Sequence, residues 1–101
     1  MGIIVRNRRG QLADGRAKSI AALSSRFSEA AAVREACMMA RSVQLQNAMI
    51  ESDSAEIIHL SSTQIVPPWE IVVFIEDIKT NVRMLNLNLS KLPRTLNKPA
   101  H

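Results

Sequence analysis

The feature that most constrains the fold of this chain is a change of hydrophobic period between residues 71 and 90. From residue 71 to 82, isoleucine and valine recur every three or four positions, which predicts an amphipathic helix opened by Pro67-Pro68. From residue 85 to 90, leucine alternates with asparagine or serine, which is typical of a half-buried strand. A helix followed directly by a strand favours a sheet with helices packed against it.

The remaining segments predict further strands and helices around this pair. A β-branched run at 3–5, a turn at Asn7-Arg8-Arg9-Gly10 and a returning strand at 11–20 predict an antiparallel hairpin. Ser28 is a suitable N-cap for an alanine-rich helix. The other predicted elements are that helix at 28–45, a strand at 48–52, a helix at 54–60 and the start of a last helix at 95–101. This order predicts a single α/β domain.

Charge is distributed unevenly along the chain, whose net charge is +4. Residues 1–26 contain six Lys or Arg and one acid, residues 27–82 contain three against eight acids, and residues 83–101 contain four and no acid. Basic ends beside an acidic middle suit a phosphate backbone held next to bound cations, but from charge alone solvated basic termini are the favoured explanation. The longest apolar stretch is far below the roughly 20 residues of a membrane span, so we expect a soluble intracellular protein without a membrane partner.

Several common functional sites are absent from the sequence. The three glycines form no phosphate-binding loop, and no serine lies in a nucleophile elbow. Cys37, His59 and His101 lack the spacing of a zinc site, and Cys37 alone allows no intrachain disulfide. Carboxylates are therefore the remaining candidates for chemistry.

Glu29 and Asp53 are the two carboxylates whose positions predict a site. Glu29 begins the inward face of the predicted helix at 28–45, and Asp53 follows the strand at 48–52 directly. Side chains at the carboxyl end of a strand often form sites in α/β proteins, and clustered oxygens suit Mg²⁺. Two alternatives remain open: Asp53 caps the following helix, with Glu56 completing a capping box, and Glu29 complements the helix dipole.

Five segments of the chain together resemble plant-type ribonuclease H-like domains. Ser28 to Ala36 is similar to the helix motif "AEALALREA", and Met49 to Ser54 is similar to "VIVESDS". Residues 67–78 resemble "PPWEI…IIEDI", residues 92–101 resemble "VPREANRVAH", and residues 2–10 resemble "GVVVRDSSG". The matches occur in the family's order and cover nearly the whole chain.

This resemblance implies a mixed five-stranded sheet with helices on both faces, and Mg²⁺-dependent hydrolysis of the RNA strand of RNA–DNA hybrids. It implies that the catalytic positions are Glu29, Asp53, Asn97 and His101, the first three of them metal ligands. The partner would be an RNA–DNA hybrid or a similar double-stranded helix, recognised by shape and the 2′-hydroxyl. Basic residues expected to contact phosphates are Arg6, Arg8, Arg9, Lys91, Arg94 and Lys98.

The sequence also departs from the family pattern. The family's first strand, central in its sheet and ending in "DGA" with a metal-bridging aspartate, has no counterpart, and the last helix is short. We therefore expect a domain over 1–101 that is incomplete at both ends, with two unpaired strand edges facing a gap. Alternatives to a weak or inactive hybrid ribonuclease are a non-catalytic nucleic-acid-binding module and a retroelement-derived remnant that does not fold stably.

Overall fold

The computed structural model describes residues 2–12 and 25–92, and these form a mixed three-stranded sheet with three helices. The α/β class predicted from the sequence is confirmed. The strands and helices are β1 (Ile3–Arg6), α1 (Arg26–Ser42), β2 (Met49–Ser52), α2 (Ala55–Ser62), α3 (Val72–Leu85) and β3 (Asn88–Lys91).

The sheet has the order β1-β2-β3, with β2 in the centre. β1 pairs antiparallel with β2, and β3 pairs parallel with β2. The expectation of two unpaired edges facing a gap is therefore wrong, because β1 lies directly against β2. Backbone N–H and C=O groups need hydrogen-bond partners, and antiparallel pairing supplies them along both of these edges.

One face of the sheet carries the hydrophobic core. Val5, Ile50 and Leu89 are partners across the three strands, and they lie in one row on the face toward the helices. The other face of β2 carries Met49, which is exposed, and Glu51, which pairs with Arg6 at 2.7 Å. The expectation of helices on both faces depends on the last predicted helix, and residues 95–101 lie outside the described residues.

Helices α1 and α3 pack together over this core. Small buried residues of α1, including Ala30, Cys37 and Ala40, allow the isoleucines of α3 to approach closely. At the edge of this contact the Arg34 Nε donates to Asp77 Oδ2 at 2.7 Å, and the Arg34 guanidinium lies 5.7 Å from the Phe74 ring centroid. These contacts fix α1 in position and, with it, Glu29.

Two element boundaries differ from the sequence prediction. Ser25, rather than Ser28, is the N-cap of α1, and its hydroxyl accepts from the Ser28 backbone N–H at 3.1 Å. Leu85 belongs to α3 rather than to the last strand, because the helix ends at Asn86, which adopts a left-handed conformation with φ 53°. Asparagine tolerates this conformation better than most residues, so it can end a helix.

The predicted hairpin at the start of the chain is described only in part. β1 and the turn are present, and the Gly10 N–H donates to the Asn7 carbonyl at 2.8 Å. Leu12 forms a single antiparallel bridge with Arg6, and the rest of the predicted returning strand, residues 13–20, lies outside the described residues. No helix in the described ranges is long and apolar enough to cross a membrane.

Candidate functional site

The candidate site lies where β2 ends and α2 begins. Ser52 ends β2, Asp53 follows it, and Ser54 is the N-cap of α2, accepting from the Ile57 N–H at 3.4 Å. The buried Ser52 hydroxyl also accepts from the Ser54 N–H at 3.1 Å. These hydrogen bonds fix the backbone at the carboxyl end of the central strand, where sites form in α/β proteins.

Glu29 reaches this junction from the first turn of α1. Its Oε2 accepts a hydrogen bond from the hydroxyl of Ser54, a residue that is 6% exposed. Hydrogen bonds to an ionised acceptor are stronger than neutral ones. The Glu29 side chain is therefore held at the start of α2, next to the residue that follows Asp53.

Asp53 is exposed, and it links the end of β2 to the start of β1. Its Oδ2 accepts from the Gly2 N–H at 3.1 Å, and its own N–H donates to the Gly2 carbonyl at 3.3 Å. The interpretation of Asp53 as the helix cap is wrong, because the Ser54 hydroxyl performs that role. The Asp53 carboxylate therefore lies at the protein surface, at the carboxyl end of the central strand.

Arg26 reinforces the junction from outside. Its Nε donates to Glu56 Oε1 at 3.0 Å and its Nη1 donates to Glu70 Oε1 at 3.1 Å, so it ties the start of α1 to the start of α2 and to the loop before α3. The hydrogen bond with Glu56, followed by that with Glu70, raises the pKa of Arg26 above its ordinary value. This exposed network holds together the two helix ends that carry Glu29 and Ser54.

The chemistry of the junction is that of oxygen donors. Two carboxylates and a hydroxyl suit a hard cation, and Mg²⁺ commonly binds to one or two carboxylates while keeping several waters. Within residues 2–12 and 25–92, no group of three His, Cys, Asp or Glu side chains could hold a metal ion. The predicted ligand Asn97 and the predicted catalytic His101 lie outside these ranges.

The described basic residues predicted to contact phosphates lie at opposite ends of the sheet. Lys91 is the register partner of Ser52, so it lies at the same end as Asp53. Arg8 and Arg9 are in the turn after β1, at the other end. Arg6 lies at the same end as Arg8 and Arg9, and its guanidinium is already engaged by Glu51 and by the Gly10 carbonyl at 3.1 Å. Arg94 and Lys98 lie outside the described residues.

Ser54 is the residue of this site that the sequence analysis missed. The segment Ser54-Ala55-Glu56 has an N-cap residue at its first position, which was a signal for its capping role. Its bond with Glu29 joins residues 25 positions apart, and no local pattern predicts such a contact.

The described residues form a small mixed α/β domain, with carboxylates at the carboxyl end of the central strand, and this arrangement is compatible with a ribonuclease H-like fold. The chain belongs to the reverse transcriptase-like family, whose sequence model matches residues 1–101. This membership supports the ribonuclease H-like resemblance and a nucleic-acid-related function in general. No curated protein and no solved structure gave a significant match.

Proposed function

We propose that this domain binds double-stranded nucleic acid of the RNA–DNA hybrid type at the sheet end that carries Glu29 and Asp53. The observation that carries the proposal is the bond between Glu29 and Ser54, which brings a helix carboxylate to the residue beside Asp53. Lys91 at the same end supplies a positive charge for a neighbouring phosphate.

Glu29 and Asp53 would hold one Mg²⁺, which would offset the repulsion between the carboxylates and a phosphate backbone. Two carboxylates contribute a charge of −2, which balances one Mg²⁺ and leaves a second one unbalanced. Asn97, also proposed as a ligand, is neutral and does not change this balance. When bound, the ion supplies charge neutralisation and Lewis acidity.

The resemblance implies that the hydrolysis of RNA in hybrids would use two Mg²⁺ ions, which would supply Lewis acidity and neutralise charge at the phosphate. Because the carboxylates at the junction balance only one, we expect the chain alone to bind hybrids with little or no cleavage. The cleavage of RNA in hybrids that the resemblance implies is therefore the activity to assay when this expectation is tested.

Binding is tested by fluorescence anisotropy with a labelled RNA–DNA hybrid, with and without Mg²⁺, over a series of salt concentrations. We expect affinity to fall as salt rises, and Mg²⁺ to strengthen binding by the wild-type chain. Glu29→Gln and Asp53→Asn should each remove the Mg²⁺ effect. In Asp53→Asn, the side-chain amide oxygen can still accept from the Gly2 N–H, so this variant keeps the local contact.

Glu76→Gln is the matched control, because Glu76 is an exposed glutamate of α3 outside the junction. It should keep the Mg²⁺ response of the wild type. An equal loss of response in Glu76→Gln, or no response in the wild type, would contradict the proposed role of the junction. Strong hybrid cleavage that Asp53→Asn abolishes would contradict the expectation of low activity.

The second candidate function is a binding module that uses no metal ion, and the exposed Arg8 and Arg9 favour it. Salt-dependent hybrid binding that is the same with Mg²⁺ and with a chelator would support it over the first. The third alternative, a remnant that does not fold stably, predicts no cooperative transition in a thermal melt followed by circular dichroism.

A further inference from the structure

The turn after β1 is held by its own hydrogen bonds and carries two arginines. The Asn7 Oδ1 accepts from the backbone N–H groups of Arg9 at 2.9 Å and Gln11 at 3.0 Å, and the Asn7 Nδ2 donates to the Gln11 side-chain oxygen at 3.2 Å. Gly10 completes the turn with φ 84°. A side chain that organises its own turn in this way fixes the backbone of Arg8 and Arg9 without engaging their guanidinium groups.

The connection between α1 and β2 faces this turn and is fixed by its own hydrogen bonds. Leu45 N–H donates to the Ala40 carbonyl at 2.8 Å, and Asn47 N–H donates to the Leu85 carbonyl at 2.9 Å. The Asn47 Oδ1 also accepts from the Asn86 Nδ2 at 2.6 Å. The Asn47 amide nitrogen therefore remains as a donor, because its oxygen is the atom used in that contact.

A cavity of about 310 Å³ lies between these two segments. Asn7, Arg8, Arg9 and Gln11 line one wall, and residues 45–47 line the other. The lining residues include two arginines and four residues with side-chain amides, with Leu45 as the apolar residue and no Asp or Glu. A cavity with this composition offers many donors and a positive charge, so it suits an anion rather than a cation or an apolar molecule.

The arginines of this cavity carry no neutralising partner among the described residues. Arg6 nearby is paired with Glu51, whereas the guanidinium groups of Arg8 and Arg9 form no ion pair with residues 2–12 or 25–92. Guanidinium groups match the geometry of phosphate oxygens and can donate two parallel hydrogen bonds to them. We propose that this cavity, the turn pocket, binds a phosphate group through Arg8 and Arg9, with the amides of Gln11, Gln46 and Asn47 as further donors.

The turn pocket is separate from the carboxylate junction. β2 joins the two, since Met49 begins it next to the pocket and Ser52 ends it next to Asp53. Three strand residues of rise alone place these ends about 10 Å apart. The inference goes beyond the proposed function, because a phosphate can occupy the pocket whether or not Glu29 and Asp53 hold a cation.

The test uses the full ¹⁵N-labelled chain titrated with inorganic phosphate at constant ionic strength, followed by NMR chemical shifts. We expect the largest shifts at the backbone amides of residues 8–11 and 45–47. The double variant Arg8→Gln/Arg9→Gln should weaken phosphate binding by at least about tenfold, since charge-assisted hydrogen bonds are lost. Both positions are exposed, so an unchanged thermal transition checks that the fold is kept.

Arg83→Gln is the matched control, because Arg83 is an exposed arginine that does not line the pocket. It should change phosphate affinity by less than about twofold, the effect of a distant screened charge. Equal weakening in the control and the double variant would overturn the proposal, because it would show only a response to net charge. The absence of phosphate-induced shifts at residues 8–11 and 45–47 would also overturn it.

A second titration, with a short RNA–DNA hybrid, distinguishes the source of the phosphate. If the double variant weakens hybrid binding and lowers its salt dependence by about one unit of slope, the pocket takes a backbone phosphate. If hybrid binding is unchanged while phosphate binding is lost, the pocket takes a free phosphate compound. Both outcomes support a phosphate site. If Mg²⁺ had no effect on hybrid binding by the wild type, only the proposed function of the junction would be contradicted, and the phosphate site would stand.

Discussion

The two ends of the central strand are built by different means and carry opposite charge. At the end of β2, the chain passes into α2 through Ser54, whose hydroxyl caps the helix and binds Glu29. At the start of β2, two tight turns meet, and both contain residues with positive φ, Gly10 in one and Asn47 in the other. The first end gathers carboxylates and the second gathers guanidinium and amide groups.

This difference indicates how a small sheet can present two kinds of chemistry. The junction depends on a contact between distant parts of the chain, because Glu29 and Ser54 come from different helices. In the turn pocket, the wall at residues 7–11 depends on local hydrogen bonds of Asn7, whereas Asn47 in the other wall is held by Leu85 and Asn86. We therefore expect the junction to be more sensitive to changes in packing, and the turn to changes in backbone conformation.

The largest expected effect on stability comes from Ile50→Ala. Ile50 is a core residue of β2, the strand that joins the junction to the turn pocket. Ile50 is fully buried in β2 between Val5 and Leu89, so the substitution should lower the free energy of unfolding by about 3 kcal/mol. Urea denaturation followed by circular dichroism measures this loss. Met49→Ala, on the exposed side of the same strand, should cost far less. Equal losses in the two variants would contradict the assignment of the core to one face.

Ser54→Ala tests the junction alone. The substitution removes the α2 cap and the hydroxyl that binds Glu29, so we expect a loss of about 2 kcal/mol in the free energy of unfolding. Ser62→Ala, at an exposed serine in the last turn of α2, is the control and should be nearly neutral. NMR shifts in Ser54→Ala should concentrate around residues 29 and 53. If the NMR shifts in Ser54→Ala were instead concentrated in the turn pocket, the junction and the pocket would not be independent of each other.

The sequence predicted the parts of this comparison that follow from local patterns. The turn at Asn7 to Gly10 was predicted from residue types that favour turns, and the hydrogen bond between these two residues confirms it. The helical period of residues 71–82 likewise predicted most of α3. These patterns act over a few residues, so the sequence contains the information needed to find them.

Long-range features were predicted less well. The direct pairing of β1 with β2 was not predicted, because the pairing of strands about 45 residues apart depends on the backbone groups left without partners, not on either segment alone. The Ser54 contact was missed because it joins two side chains 25 positions apart, and no local pattern predicts such a contact. The predicted roles of Glu29 and Asp53 as metal ligands stay predictions, supported by their positions around Ser54.

Cys37 belongs neither to the junction nor to the turn pocket, so its titration tests the stability of the whole domain. It is buried in α1, and burial raises the pKa of its thiol from 9.0 to about 12. The folded chain therefore keeps this proton where the unfolded chain loses it, so stability is fully present below pH 9 and falls as pH rises from 9 toward 12. Near pH 10 we expect the free energy of unfolding to be about 1.4 kcal/mol lower than at neutral pH, which corresponds to one pKa unit.

Urea denaturation at several pH values, compared with Cys37→Ala, measures this effect. The variant lacks the thiol, so its stability should decline less over the same range. Binding of phosphate and of Mg²⁺ should follow the folded fraction at both ends alike. Parallel pH profiles for the wild type and the variant would contradict a raised thiol pKa.

Gly10→Ala tests the turn pocket and has the smallest expected effect on stability. A Cβ at this position would meet nothing within 4 Å, so the cost comes only from placing a non-glycine residue at φ 84°, about 1 kcal/mol. Gly2→Ala is the control, because Gly2 needs no left-handed conformation and its Cβ would lie at an ordinary 3.6 Å from the Leu92 Cδ1. Since the Gly10 strain acts on the backbone that presents Arg8 and Arg9, phosphate affinity should fall in Gly10→Ala while the Mg²⁺ response of the junction is kept. If both responses fell together, the two ends would be coupled through β2 rather than independent.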